Sequence, residues 1–175
     1  HVEIEWLIFL LDNSVLPGAP TLTDAERDYL RALPRDFGAD HIRRLGEFEA
    51  VTRHDVKAVE YLIGEYLEAA AGKLGEGTTL PSLREVVHIF CTSEDINNLA
   101  YALTIKAATE QVWLPSIRAL LDRLRGLAEA GADVPMLAHT HGQPATPVTI
   151  GKEMAVFAHR LSRQIKRVEA TEYLG

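Results

Sequence analysis

An all-α fold is what this sequence predicts, and three observations carry the prediction. Apolar residues recur every three or four positions in several long stretches. Alternation with a period of two is nearly absent. Glycine and proline gather at 16–20, 72–81 and 131–147, the places where connections between helices belong.

Each element follows from a local signal. The opening Val2-Glu3-Ile4-Glu5-Trp6-Leu7-Ile8-Phe9-Leu10-Leu11 reads as the tail of a buried helix. Thr23-Asp24-Ala25-Glu26 has the form of a capping box and opens a short helix to about residue 33. A third helix is expected over 39–50 and a fourth over 55–71, the latter with Val56, Val59, Tyr61, Leu62, Tyr66 and Leu67 as its apolar positions. Thr92 or Ser93 then caps a helical stretch ending near residue 130, where Trp113, Ile117, Leu120, Leu121, Leu124 and Leu127 share one face. Pro115 lies inside it. An interior proline costs about 3 kcal/mol and a hydrogen bond, so a kink or break is expected there. The last helix is expected to open at Thr146-Pro147 and to run to about residue 173. Ile150, Met154, Phe157, Leu161, Ile165 and Val168 form its apolar stripe, and Arg160, Arg163, Lys166 and Arg167 its basic outer face. Only a small hairpin near 134–144 departs from helix.

Composition narrows the function. Of the 175 residues, 47% are hydrophobic and 25% charged, which suits a packed core and argues against disorder. Acidic residues outnumber basic ones by 25 to 18, giving −7, so no nucleic-acid partner is expected. A small anionic substrate feels only the local field and remains compatible. Cys91 is the sole cysteine, so no intrachain disulfide forms and a reducing cytoplasm fits. No apolar run approaches the ~18 residues of a membrane span, and no basic leader marks a signal peptide. The start at His1 and the stop at Gly175, after a helical pattern, suggest a partial chain.

Three polar segments stand at expected helix starts: Thr52-Arg53-His54-Asp55, Cys91-Thr92-Ser93-Glu94-Asp95-Ile96-Asn97-Asn98, and Thr140 through Thr146. Free N–H groups at a helix N-terminus suit anionic ligands. Each segment has a plainer reading. Thr52, Ser93 and Thr146 are good caps, and Glu94 and Asp95 complement the helix dipole. Arg53 and Lys57, four apart, suit a phosphate or an ion pair with Glu60. His139 and His141 resemble half of a zinc site, but further ligands at metal spacing are missing, so no metal and no cofactor is assigned. His41, His88 and His159 fall in ordinary helical patterns and read as structural, and Cys91 reads as a small core residue.

The segments together carry a resemblance. Cys91 through Asn98 is similar to the Thr-Ser-Glu-Asp segment of adenylosuccinate lyases. Thr140-His141-Gly142-Gln143-Pro144-Ala145-Thr146-Pro147, with Thr149-Ile150-Gly151-Lys152-Glu153-Met154 after it, resembles that family's Thr-His-Gly-Gln-Pro-Ala segment and following helix. His54-Asp55-Val56-Lys57-Ala58-Val59-Glu60-Tyr61 matches a third block, with Arg53 where the matched branch often has asparagine. All three stand in the family's order. Another fumarate-releasing lyase of the same superfamily, or a non-catalytic helical interaction fragment, is the alternative.

The resemblance implies an N-terminal helical domain over 1–91 and, over 92–175, the incomplete start of a central helix bundle. It implies β-elimination of fumarate from adenylosuccinate and from the succinyl-carboxamide ribotide of purine synthesis. His141 would be the general acid, a step that suits imidazole because its pKa lies near working pH. Thr92 and Ser93 would hold a succinyl carboxylate; Arg53, His54 and Asp55 would hold the nucleotide; Thr140 and Gln143 rank behind them. The family assembles as a homotetramer with sites shared among subunits. Its Met-Pro-x-Lys-x-Asn-Pro loop, which carries the catalytic serine, occurs nowhere in these 175 residues, so the chain by itself is expected to be inactive.

Overall fold

Ile4, Leu7, Ile8, Leu10 and Leu11 are between 1% and 5% exposed in α1 (Val2–Asp12). A helix apolar on so much of its circumference must be covered by several others. Here the covering elements are α2 (Asp24–Arg35), α4 (Asp55–Glu68) and a 3-10 helix (Leu80–Val86). They contribute Tyr29, Leu30 and Leu33, then Ile63 and Leu67, then Leu80 and Leu83 to one core. The computed structural model describes all of residues 1–175, and they divide into a first unit, His1–Tyr101, and a second, Ala102–Gly175. α3 (Ala39–Thr52) and the single turn α5 (Ala71–Leu74) complete the helices wholly inside the first unit. No residue of α3 is buried. It lies on α4 through the bidentate Arg44–Glu65 pair at 2.9 Å and the edge-on Phe48–Tyr61 contact.

The expected capping box of α2 is present: Thr23 Oγ1 accepts the Glu26 N–H, and the Glu26 carboxylate accepts the Thr23 N–H. That carboxylate has a second task. Its other oxygen accepts the Thr79 N–H at 2.7 Å and the Thr78 and Thr79 hydroxyls at 2.8 and 3.0 Å. One side chain thus caps α2 and ties down the loop that leads into the 3-10 helix. Burial raises the Glu26 pKa, but the hydrogen bonds from Thr23, Thr79 and Thr78 outweigh it and hold the group at about 2.

α6 (Ser93–Ala108), a π-helical turn (Thr109–Trp113) and α7 (Leu114–Ala130) make up the helical stretch expected to end near residue 130, interrupted beside Pro115 as expected, and the unit division falls within α6. Pro115 sits in the first turn of α7, as the widened turn before it allows. The Val112 carbonyl is satisfied by the Ser116 hydroxyl at 2.8 Å.

In the second unit, α7 packs on α8 (Ile150–Glu169) through Leu114 and Leu121 against Ala158 and Ile165. The two helices approach closely at their ends. A Cβ on Gly151 would lie 2.3 Å from the Ala128 carbonyl, and the Gly151 N–H donates to the Gly131 carbonyl at 2.8 Å. Between them runs an antiparallel hairpin, β1 (Pro135–Thr140) and β2 (Gln143–Thr149). The hairpin is longer than the expected 134–144, and it corrects the start of the last helix. Thr146 and Pro147 are strand residues, Pro147 pairing with Leu137. Thr149 is the cap instead, its hydroxyl accepting the Lys152 N–H at 3.1 Å. Strand pairing consumed the residues that read as a helix opening. His141 and Gly142 form the two-residue turn, with φ of 54° and 75°. Positive φ at both positions is the mark of the type I′ turn that matches strand twist.

Two outcomes follow. Glu26→Gln should lower stability near neutral pH by roughly 3 kcal/mol, given about 1.4 kcal/mol per unit of depressed pKa. The carboxylate's contribution is complete above its ordinary pKa of 4.5 and is lost as pH falls toward about 2. Urea melts of both proteins should therefore differ at pH 7 and converge near pH 2. His141→Gly should stabilise the hairpin by about 1 kcal/mol, because glycine accepts left-handed backbone without a Cβ penalty. Thermal melts against the parent chain check this.

Candidate active site

The sequence-expected residues fall into two groups, one in each unit. In the first unit the chain leaves α3 through Arg53, whose left-handed φ of 55° ends the helix. It enters α4 through His54, in extended conformation as the N-cap. Arg53 is therefore not on α4, and Arg53 and Lys57 do not form a helix-face pair. Lys57 binds Glu60 at 2.6 Å, as one of the two open readings had it. Thr52 does not cap α4; its hydroxyl donates to the His54 carbonyl at 3.0 Å and braces the turn.

His54 Nδ1 accepts the Lys57 N–H at 3.3 Å. In the neutral imidazole the proton therefore sits on Nε2, which lies 3.2 Å from Ser93 Oγ and donates to it. The Ser93 hydroxyl is left to donate to an acceptor of its own. Asp55 Oδ1 accepts the Val56 N–H at 2.8 Å and lies 3.4 Å from His54 Nδ1, close enough to face an imidazolium. Two segments 39 positions apart thus meet at a histidine–serine contact.

Thr92 is held differently. Its N–H and hydroxyl both donate to Asp95 Oδ2, at 2.6 and 2.9 Å. These two bonds, the backbone one first, lower the Asp95 pKa. Asp95 does more than complement the helix dipole, since it fixes the residue before α6. The opening of α6 then offers the Ser93 hydroxyl beside first-turn N–H groups, which have no acceptor within a helix, an arrangement suited to a carboxylate.

The third polar segment is not a helix start. Thr140 and Gln143 pair across the ends of the two strands, and His141 occupies the turn, exposed at the hairpin tip. Its imidazole is accessible to a ligand, and its backbone conformation is one a non-glycine residue rarely adopts.

Of the other histidines, two lie on helices as expected and His88 does not. His41 sits in α3, where its Nδ1 accepts the Gly38 N–H at 3.1 Å. His159 lies on α8. His88 is outside any helix, at φ 67°, and binds the buried Glu3 at 2.7 Å. Glu3 was missed by pattern reading, although a signal existed. It falls on the same helical face as Leu7 and Leu10, and a charge on an apolar face asks for a partner.

Comparison with known proteins finds relatives along the whole chain. The adenylosuccinate lyase of Escherichia coli (strain K12) is 42% identical over 175 residues, which is 100% of this chain and 37% of that protein. That of Legionella pneumophila (strain Corby) is 44% identical over 162 residues, 93% of this chain and 34% of that one. The chain thus spans little more than a third of the length of these relatives. Among solved structures, a fumarate lyase from Mesorhizobium sp. BNC1 aligns with a TM-score of 0.68 at 21% identity, over 96% of this chain and 35% of that one. A 3-carboxy-cis,cis-muconate lactonizing enzyme from Pseudomonas putida aligns with a TM-score of 0.66 at 20% identity, with the same coverage. At such identities the two structures speak to the fold alone. The profile of the family described as lyase matches residues 10–173, nearly the whole chain: the chain belongs to the lyase family.

Proposed function

We propose that this chain supplies part of the active site of an adenylosuccinate lyase. The observation that carries the proposal is the His54–Ser93 contact, which joins two of the three motif segments at one point in the first unit. Identity of 42% across the full chain to a lyase of that name supports the same substrate class.

The reaction is a β-elimination. A base removes a proton from the succinyl Cβ, its electron pair forms the new C=C bond, and the C–N bond breaks toward nitrogen. An acid protonates that nitrogen, and fumarate leaves, with AMP from adenylosuccinate or the carboxamide ribotide from its succinyl precursor. His141 is the acid in this reading, because it is an exposed imidazole at the tip of a two-residue turn. Thr92 and Ser93 take a succinyl carboxylate, the latter with the hydroxyl proton that His54 leaves free. Arg53, exposed and without an ion-pair partner, suits the nucleotide phosphate, with His54 and Asp55 beside it. Thr140 and Gln143 frame the turn that carries His141. The base is not assigned to any residue of this chain.

Residues 1–91 and 92–175 correspond in this reading to an N-terminal domain and the opening of a helix bundle. Phe157, Ile150, Leu120 and Leu127 are 41–54% exposed, which supports self-association, as a homotetramer in the complete enzyme. No helix is long and apolar enough to cross a membrane. The proposed setting is the cytoplasm, where purine nucleotides are made.

Three outcomes test this. The 175-residue chain alone should give no turnover of adenylosuccinate in an ultraviolet assay; activity would remove the need for a base from outside it. In a complete lyase containing this chain, His141→Ala should lower kcat by roughly 10²–10⁴, the range for a general acid. Near-normal turnover takes His141 out of that role. Ser93→Ala should raise KM more than it lowers kcat, and unchanged values of both would count against carboxylate binding there.

A further inference from the structure

We propose that Glu3 is a positioning residue: held against His88 inside the first unit, it fixes the strained turn over 88–91 that delivers Thr92 and Ser93 to His54. Four observations lead to it. Glu3 is 2% exposed, and its Oε1 accepts from His88 Nδ1 at 2.7 Å. One turn further along α1, Trp6 Nε1 donates to the Ile89 carbonyl at 2.9 Å, so adjacent residues of the turn are gripped from one helix. His88 and Phe90 have left-handed φ of 67° and 68°. Such residues cost of order 1–3 kcal/mol each and persist only where the surroundings over-determine them.

The fourth observation is that the contacts close a ring. His88 Nε2 lies 3.9 Å from Glu60 Oε1, and Glu60 Oε2 binds Lys57 Nζ at 2.6 Å. The Lys57 N–H binds His54, and His54 meets Ser93, five residues beyond His88. The turn and the opening of α4 are thereby cross-tied on both sides of the histidine–serine contact.

A purely stabilising role fits Glu3 poorly. Its Oε2 is buried with no hydrogen-bond partner. Burial pushes its pKa up while the His88 hydrogen bond pulls it down. An apolar side chain would fill the same space without an orphaned oxygen. What it would not do is hold the His88 ring.

The bearing of this on turnover rests on the lyase reading; the placement of Ser93 does not, so the test reads placement. Hydrogen exchange is followed by amide NMR in the full chain, together with the ¹⁵N signals of the His54 imidazole. Glu3→Leu should speed exchange at residues 89–93 by about tenfold while leaving core amides such as Leu30 and Leu67 unchanged. It should also move the His54 Nε2 signal to where Ser93→Ala puts it. Glu3→Gln keeps an acceptor for Nδ1–H and should restore both readouts to near the parent values. His88→Ala removes the ring without touching α1 and should repeat the Glu3→Leu pattern. An unchanged 89–93 segment and His54 signal in either Glu3→Leu or His88→Ala overturns the proposal. Equal acceleration throughout the unit overturns it as well, because it leaves Glu3 only a general structural role.

Discussion

The burial of the apolar face of α1 is the constraint on which the first unit depends. With Ile4, Leu7, Ile8, Leu10 and Leu11 removed from water, polar groups carried inward on the same helix need partners within the fold. Glu3 and Trp6 find theirs in His88 and Ile89, 85 and 83 residues away. The hydrophobic effect thus sets where α1 lies, and the polar groups it carries inward set where the distant segment must pass. That segment continues directly into Thr92 and Ser93. The candidate site is positioned by the core rather than laid over it.

Backbone strain follows the same map. Five non-glycine residues have positive φ: Ser14, Arg53, His88, Phe90 and His141. Four of them lie in or beside the three polar segments, and strain of this kind persists where neighbours hold it. Arg53 turns the chain so that His54 can cap α4. His88 and Phe90 shape the approach to Ser93. His141 accepts a conformation better suited to glycine, and its imidazole gains the exposed tip of a hairpin. Stability and presentation of a side chain pull in opposite directions at that turn.

Carboxylates serve here as joints more than as surface charges. Glu26 and Asp95 each collect N–H and O–H donors from threonines, and each fixes the backbone at an element boundary. By contrast, the exposed Arg44–Glu65 pair holds α3 with an interaction of the kind worth under about 1 kcal/mol. The first unit is tied at element boundaries by the buried Glu26 and the exposed Asp95, while α3 is held by surface pairs. In the second unit one joint is made by backbone, where Gly131 and Gly151 bring α7 and α8 within hydrogen-bonding distance, and another by the exposed Arg118–Glu169 pair.

Sequence alone determined the helical class, the capping box at Thr23, the order of the helices and the three polar segments, because these depend on neighbours within a few residues. Family resemblance gave the segments a chemical meaning that spacing could not. Local signals failed where a competing partner lay outside the window. Thr146-Pro147 reads as a helix opening until β1 claims it as strand. His88 reads as a helical residue until a buried carboxylate draws it into a turn. Only the tertiary structure decided that His54 and Ser93 meet. Such contacts form between segments tens of residues apart, and burial rather than local propensity brings those segments together.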